Sequence, residues 1–100
     1  MPAVTREGDS DMTHCSTPTR VGCSGNVFAN KKGVSREGDS NDVHDMPNPG
    51  SPPPPCVPHS AAISSGSSTV FANGKGIGRV GDGITMCTAV AEGSDNVFAG

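Results

Sequence analysis

The sequence contains no leucine, tryptophan or tyrosine, and only three phenylalanines. So few large apolar residues cannot build an extensive hydrophobic core, and their shortage is typical of disordered chains. The formal net charge is only -3, however, so self-repulsion does not keep the chain unfolded. A folded chain of this composition needs another source of stability, and a bound structural metal ion is a common one in small domains.

The same shortages argue against several classes of function. Seven Lys and Arg residues are spread along the chain, and three Phe residues form no stacking platform, so nucleic-acid binding is not expected. No run of about 18 apolar residues is present, so no membrane-spanning helix is expected. Residues 1–6 lack an apolar signal core. We therefore expect the protein to be made and folded in a cytosol, where disulfides are less common than thiols and metal sites.

One motif recurs three times: Arg, any residue, Gly, Asp, and then a potential metal ligand five residues after the Asp. The copies span Val4–His14, Val34–His44 and Ile77–Cys87. A second motif, Val-Phe-Ala preceded by Asn or Thr, recurs in step with it at residues 26–29, 69–72 and 96–99. This repetition predicts three copies of one β-unit arranged around a quasi-three-fold axis.

We predict one domain over residues 1–100, with repeat units of about 1–33, 34–76 and 77–100. The second unit is longer because residues 45–62 carry a Pro-rich insertion. A flexible linker is one interpretation of such a run, and a semi-rigid polyproline arm is the other. We favour the stiff arm, since the insertion delivers His59, the only His outside the repeat register.

Short β-hairpins are expected around the Val-Phe-Ala motifs, and no significant helix is predicted because Gly and Pro interrupt every amphipathic window. Asn73-Gly74 favours a two-residue hairpin turn. In the first hairpin, Asn30–Gly33 is predicted as the turn and Val34–Arg36 as the return strand. The third hairpin lacks a return strand after Val97–Ala99. We predict that Val4–Arg6 pairs with it and closes the ring.

Two sets of repeated side chains are assigned to the architecture. The Phe residues of the second motif are assigned to the core: Phe28, Phe71 and Phe98. The Arg and Asp of the first motif are interpreted as turn residues that form an ion pair within each unit: Arg6 and Asp9, Arg36 and Asp39, Arg79 and Asp82. Symmetric repetition favours such structural roles, because an active site needs different groups in different roles.

Three-fold repetition brings His14, His44 and Cys87 towards one axis, and His59 supplies a fourth ligand. Neutral imidazole and thiolate suit tetrahedral zinc, although iron or nickel would accept similar ligands. Cys56 competes with Cys87, because Cys56 and His59 have the local spacing of a zinc pair. The repeat register favours Cys87. Cys15, Cys23 and Cys56 are interpreted as small packing residues or free thiols.

The predicted site is structural and not catalytic. Four protein ligands close a zinc site, whereas catalytic zinc keeps an open position. The sequence shows no nucleophile–base pair and no phosphate-binding Gly loop followed by a helix. We therefore assign no catalytic residue and do not expect an enzyme.

Over essentially its whole length the sequence resembles the PAAR-repeat proteins. The resemblance is carried by Pro2-Ala3-x-x-Arg6-x-Gly8-Asp9, by the Asn73–Asp82 hairpin, and by the three His and one Cys. The defining Pro-Ala-Ala-Arg is interrupted here by Val4-Thr5. These proteins are the pointed tips of spikes in contractile phage tails and type VI secretion systems. The resemblance implies a small all-β cone with one structural zinc ion near its apex, bound by His14, His44, His59 and Cys87.

The resemblance also implies a function and a partner. The protein would cap and sharpen the end of a homotrimeric β-helical spike, one monomer per trimer, and would contact the target membrane only on piercing. Exposed strand edges of such a spike need covering, and we expect a base of backbone edges with small residues such as Val and Ala, with the insertion against the cone wall. Synthesis in the cytoplasm would precede assembly at the tip of a phage tail or secretion spike. The alternative is a zinc-stabilised adaptor that recruits a separate toxin or effector to the spike.

Overall fold

The computed structural model describes residues 1–47 and 56–100, and these residues form a small all-β fold, as the sequence predicts. Six short strands pair antiparallel as β1–β2, β3–β4 and β5–β6. Their bounds are β1 Phe28–Ala29, β2 Lys32–Gly33, β3 His44–Pro47, β4 Cys56–His59, β5 Phe71–Ala72 and β6 Lys75–Gly76. No helix in the described part of the chain is long and apolar enough to cross a membrane.

The two complete hairpins share one turn geometry. Asn73 and Gly74 have φ values of 56° and 77°, and Asn30 and Lys31 have φ values of 55° and 68°. Positive φ at both central residues is the geometry of a two-residue turn that matches the twist of the strands. The Asn73-Gly74 turn is therefore confirmed. The predicted four-residue turn Asn30–Gly33 is wrong, because strand β2 already begins at Lys32.

The third hairpin is completed by the N-terminal segment. Ala3 pairs antiparallel with Phe98, as Gly33 pairs with Phe28 in the first hairpin. The amide of Val4 donates to the carbonyl of Val97 at 2.9 Å, and the amide of Ala99 donates to Pro2 at 3.0 Å. The predicted closure of the ring by the two ends of the described chain is confirmed, but the segment that pairs with Val97–Ala99 is Pro2–Val4 and not Val4–Arg6.

A closed ring of backbone hydrogen bonds joins the three units. Thr5 N–H donates to the carbonyl of Gly78 at 3.0 Å, Gly78 N–H to Ser35 at 2.8 Å, and Ser35 N–H to Thr5 at 3.0 Å. The segments around these residues pair with one another, as in the antiparallel pair of Arg6 and Val34. Val34 continues its own hairpin as predicted, because its N–H donates to the carbonyl of Val27 at 3.0 Å, whereas Ser35 and Arg36 bond to the neighbouring units. The reason is that a chain segment near a three-fold axis has its backbone groups closest to the neighbouring units.

The repeated Arg-x-Gly-Asp motif forms the turn that follows the ring. Each Arg side chain pairs with the Asp three residues later, at 2.8 Å in Arg6–Asp9, 2.7 Å in Arg36–Asp39 and 2.9 Å in Arg79–Asp82. The same Asp also accepts the backbone N–H of the Arg. The motif Gly has a positive φ in every copy: Gly8, Gly38 and Gly81. The predicted turn and ion pair are confirmed in all three units.

The core consists of two small apolar clusters on either side of the backbone ring. One contains Val4, Ala29, Val34, Ala72, Ile77 and Ala99, and the other contains Ile63, Ile84 and Val90. In each Val-Phe-Ala motif the Ala is buried and the preceding Phe points outward: Phe28 is 59% exposed, Phe71 58% and Phe98 48%. The assignment of the Phe residues to the core is therefore wrong. Successive side chains of a strand alternate between faces, so each Ala points into the apolar cluster and the Phe before it points to the outer face.

The insertion forms a hairpin stem where the structure describes it. Strands β3 and β4 pair in the register His44 with His59 and Pro47 with Cys56. His59 is thus delivered to the apex by β-pairing with the ligand-bearing strand β3. The prediction that a polyproline arm lies against the cone wall concerns Pro52–Pro55, which fall outside the described residues.

Candidate metal centre

Each of the four predicted ligands lies at a turn or at the end of a strand. His14 lies in a tight reversal in which its backbone pairs with that of Ser16. His44 begins β3 and His59 ends β4, so the two face each other across the hairpin. Cys87 follows a turn in which its N–H donates to the carbonyl of Ile84 at 3.0 Å. A tight reversal, two strand ends and a turn therefore bring the four side chains together near the apex.

The four donor atoms form a compact group. All lie within 4.8 Å of one another. The Nε2 atom of His14 lies 2.9 Å from Nε2 of His44 and 3.4 Å from Nε2 of His59. The Sγ atom of Cys87 lies 3.3 Å from Nε2 of both His14 and His44. Ligand atoms at the usual ~2.0–2.3 Å from a tetrahedral zinc ion would be about 3.3–3.6 Å apart, so the group has the size of such a site.

The protonation of the imidazoles suits metal binding. The Nδ1 atom of His44 lies 2.7 Å from the carbonyl of Asp42, so it carries the proton and leaves the lone pair of Nε2 facing the group. Burial lowers the pKa of His14 and of His59, and the neighbouring imidazoles lower it further. The neutral, metal-binding forms of these rings are thereby favoured. Burial raises the pKa of the Cys87 thiol, and the Asn41 amide opposes this effect.

Position favours Cys87 over Cys56 as the sulfur of the group. Cys87 lies within the group, whereas Cys56 forms a disulfide with Cys15, with 6.2 Å between their Cα atoms. The interpretation of Cys15 and Cys56 as packing residues or free thiols is therefore wrong. Cys15 lies at the tip of the reversal after His14 and has a φ of 56°. Asp45 N–H also donates to the Ser16 hydroxyl at 2.8 Å, which holds β3 beside this reversal.

Cys23 agrees with its prediction, since it is a partly buried free thiol. A Cβ added at Gly33 would lie 2.9 Å from the Cys23 sulfur, so Cys23 packs closely against that residue. Cys23 therefore fills space beside the first hairpin, away from the metal ligands.

The surface beside the ligands is apolar. Val43, adjacent to His44, is 73% exposed, and Met86, adjacent to Cys87, is 90% exposed. An open groove of about 600 Å³ lies beside His59 and is lined by Met46, His59, Ser60, Ala61, Ala62, Thr85 and Met86. The apex thus exposes apolar side chains immediately around the donor group.

Fold and site together define a small all-β protein whose His14, His44, His59 and Cys87 could hold a metal ion near the apex. Comparison with known proteins adds no relative to this description: no family model matches the sequence, and no curated protein matches it. The geometry alone is compatible with more than one metal, because several divalent ions accept imidazole and thiolate ligands.

Proposed function

We propose that this protein is a PAAR-repeat-like spike tip, a structural protein that caps the end of a homotrimeric β-helical spike of a contractile phage tail or type VI secretion system. The observation that carries the proposal is the closed quasi-three-fold ring, in which one chain provides three equivalent hairpins. A single chain with this symmetry can make the same contact with each subunit of a trimer. One monomer per trimer is the stoichiometry that follows.

The base of the protein supports docking. In each unit the Phe-bearing strand bonds to one side of the backbone ring, and the segment that leads to the candidate ligand leaves from the other side. The three Phe side chains and the donor group therefore lie at opposite ends of the unit. These Phe side chains are largely exposed and occur once per unit. Exposed aromatic side chains are frequent anchors at protein interfaces. Val70 and Val97, which precede two of these Phe residues, are also exposed, so Phe and Val together form the apolar part of the proposed docking surface.

The apex supports the piercing role. A structural zinc ion bound by His14, His44, His59 and Cys87 would cross-link four chain segments at a point too narrow for a hydrophobic core. Four protein ligands leave no open position for a substrate, which fits a structural protein and not an enzyme. The exposed Val43 and Met86 would lower the cost of bringing this end into a lipid bilayer.

Co-expression with trimeric β-helical spike proteins from the same operon or phage genome tests the proposal. Native mass spectrometry should give one copy of this chain per spike trimer. The variants Phe28→Ser, Phe71→Ser and Phe98→Ser should each weaken the complex about 10-fold or more, because exposed aromatic anchors dominate interface energies. Their melting temperatures should change little, since these side chains are already exposed.

Val43→Ser and Met86→Ser are matched controls, because they remove exposed apolar groups from the opposite end. They should leave spike binding unchanged. Absence of a complex, or a ratio of three chains per trimer, would overturn the proposal. Retention of a toxin by the chain without any spike would favour the effector adaptor instead.

A further inference from the structure

One buried side chain outside the ligand set contacts every segment that carries a ligand. Asn41 precedes His44 by three residues, and its amide Nδ2 lies 3.1 Å from Oδ2 of Asp11, which itself precedes His14 by three residues. The Oδ1 atom of Asn41 accepts the N–H of Ala61, two residues after His59, at 2.9 Å. The same Nδ2 lies 3.8 Å from the Sγ atom of Cys87.

The surroundings of Asn41 fix the direction of its amide. Because Oδ1 faces a backbone N–H, the two protons of Nδ2 must be directed elsewhere. One is donated to the Asp11 carboxylate and the other points towards the Cys87 sulfur. Exchanging the amide O and N would place a donor against the Ala61 donor and an acceptor against the Asp11 acceptor. Asn41 is therefore held as a donor to the sulfur.

A buried ion pair holds Asp11 in turn. Arg20 Nη2 lies 3.1 Å from Asp11 Oδ2, and both side chains are completely buried. The pair is incompletely satisfied, since Asp11 Oδ1 and Arg20 Nε have no hydrogen-bond partner among the residues that the structure describes. Burying charges in this way is costly, and apolar replacements are often equally or more stable.

The fold itself does not require these polar groups. In the third unit Ile84 occupies the position of Asp11 and Asn41, and Val90 occupies that of Arg20, as the matching backbone hydrogen bonds show. Both apolar residues are buried. One copy of the unit thus folds with a hydrocarbon layer where the first two copies carry Asp11, Arg20 and Asn41. The polar network has to be explained by something other than chain packing.

We propose that Asn41, held by the Asp11–Arg20 pair, is the positioning residue of the metal centre: it donates a hydrogen bond to the Cys87 sulfur and keeps the four ligand-bearing segments in register. This inference rests on the proposed metal site and extends it to residues that do not touch the metal. Hydrogen bonds to a ligating sulfur orient it and modify its electron donation to the metal. Preorganised ligands also lose less freedom on binding, which raises affinity.

Metal titration of two variants tests the inference. Asn41→Leu removes the donor and keeps a side chain of similar size. The triple variant Asp11→Ile, Arg20→Val, Asn41→Ile copies the apolar layer of the third unit. Both should bind Zn²⁺ about 10–100-fold more weakly than the wild type, measured by competition with a chromophoric chelator, because loss of outer-sphere partners typically has this effect. The metal-free triple variant should unfold at the same or a higher temperature than the metal-free wild type.

Co²⁺ provides a readout that a loss of packing alone would not change. The sulfur-to-cobalt charge-transfer band should move to lower energy in Asn41→Leu, because the sulfur lone pair loses its hydrogen bond. Val34→Ala, in the apolar cluster on the far side of the backbone ring, is the control. It should lower the melting temperature without shifting the band or the Zn²⁺ affinity.

The outcomes separate this inference from the proposed function. A wild-type protein that binds no metal would remove the metal centre itself. Metal binding by the wild type, together with unchanged affinity and an unmoved band in both variants, would overturn the role of Asn41 alone. Failure of both variants to fold with the disulfide formed would also overturn it, because the network would then belong to the fold.

Discussion

At the scale of single residues, the apex depends on side chains that the fold brings together from four separate turns and strand ends. Register alone predicts three members of the group that could hold a metal ion, since His14, His44 and Cys87 occupy one position of a repeat. The insertion predicted the fourth. Asn41, Asp11 and Arg20 were not recognised from the sequence. The one indication in the sequence is that Asp11 and Asn41 are polar where the third repeat has Ile84. Such a difference between repeats has no evident meaning without the contacts of these side chains.

Cys87→Ala should abolish the stabilisation by zinc. At free zinc a thousand-fold above the dissociation constant, binding adds about 4 kcal/mol to the free energy of unfolding. The variant should therefore melt at the same temperature with and without a strong chelator, whereas the wild type should lose stability on chelation. Cys23→Ala is the matched control, because this thiol lies outside the donor group. A wild type unaffected by the chelator would contradict the prediction.

The imidazoles should make the metal-free protein sensitive to mild acid. The pKa values of His14 and His59 lie below their ordinary value of 6.5 in the folded state, chiefly because of burial. The unfolded chain therefore takes up protons first as the pH falls. The contribution of these residues is fully present above about pH 6.5 and is lost as the pH falls through their folded pKa values.

Denaturant unfolding of the metal-free protein between pH 7.5 and 5 measures this loss, and the double variant His14→Gln, His59→Gln should flatten the curve. With zinc present the loss should be steeper, because protons compete with the metal for the same nitrogens. An identical pH profile for wild type and double variant would show that other groups dominate.

At the scale of elements, the sequence predicts that the hairpins exist, but it does not predict every turn length or the orientation of the Phe side chains. Asn73-Gly74 identified its turn because the pair tolerates positive φ, whereas Asn30-Lys31 adopts the same geometry without a Gly and was assigned a longer turn. The exposed Phe residues were misassigned because aromatic residues usually lie in cores. Here the neighbouring Ala of each motif enters the apolar cluster, and the alternation of the strand leaves the Phe on the outer face.

The disulfide escaped prediction for a different reason. Cys15 and Cys56 are separated by 41 residues and approach only because β4 pairs with β3 beside the reversal after His14. No local spacing encodes that proximity. The expectation that the chain folds in a cytosol also favours free thiols over a disulfide. The cross-link ties the His14 reversal to the strand that carries His59.

Reduction of this disulfide should destabilise the protein by about 4 kcal/mol, the entropic value for a loop of this length. Chemical unfolding of oxidised and reduced protein, both without metal, measures the difference. The double variant Cys15→Ser, Cys56→Ser should match the reduced wild type and should not respond to a reductant. A reductant effect that persists in this variant would implicate another group.

At the scale of the whole molecule, the backbone ring makes the three units interdependent. A Cβ at Gly78 would lie 2.8 Å from Ile63 Cδ1 and 3.0 Å from the Ser35 carbonyl oxygen, so Gly78→Ala would push the ring apart. We expect a loss of about 1–3 kcal/mol in the free energy of unfolding, as for overpacked cores.

Gly83→Ala is the matched control for this substitution. The nearest atom to its added Cβ is Ser64 Oγ at 3.6 Å, which is ordinary contact. It should be neutral or should stabilise by up to about 1 kcal/mol through the unfolded chain. Hydrogen exchange should show that Gly78→Ala weakens protection at the amides of Thr5 and Ser35 together, since these donate within the same ring. Loss of protection at one amide only would contradict the interdependence.

The ring of Thr5, Ser35 and Gly78 also has a mechanical meaning. Each unit donates one hydrogen bond to one neighbour and accepts one from the other, so the three units are mechanically coupled in parallel. A load applied to one is shared with both of the others. No unit can separate from the other two without breaking two of these three bonds at once.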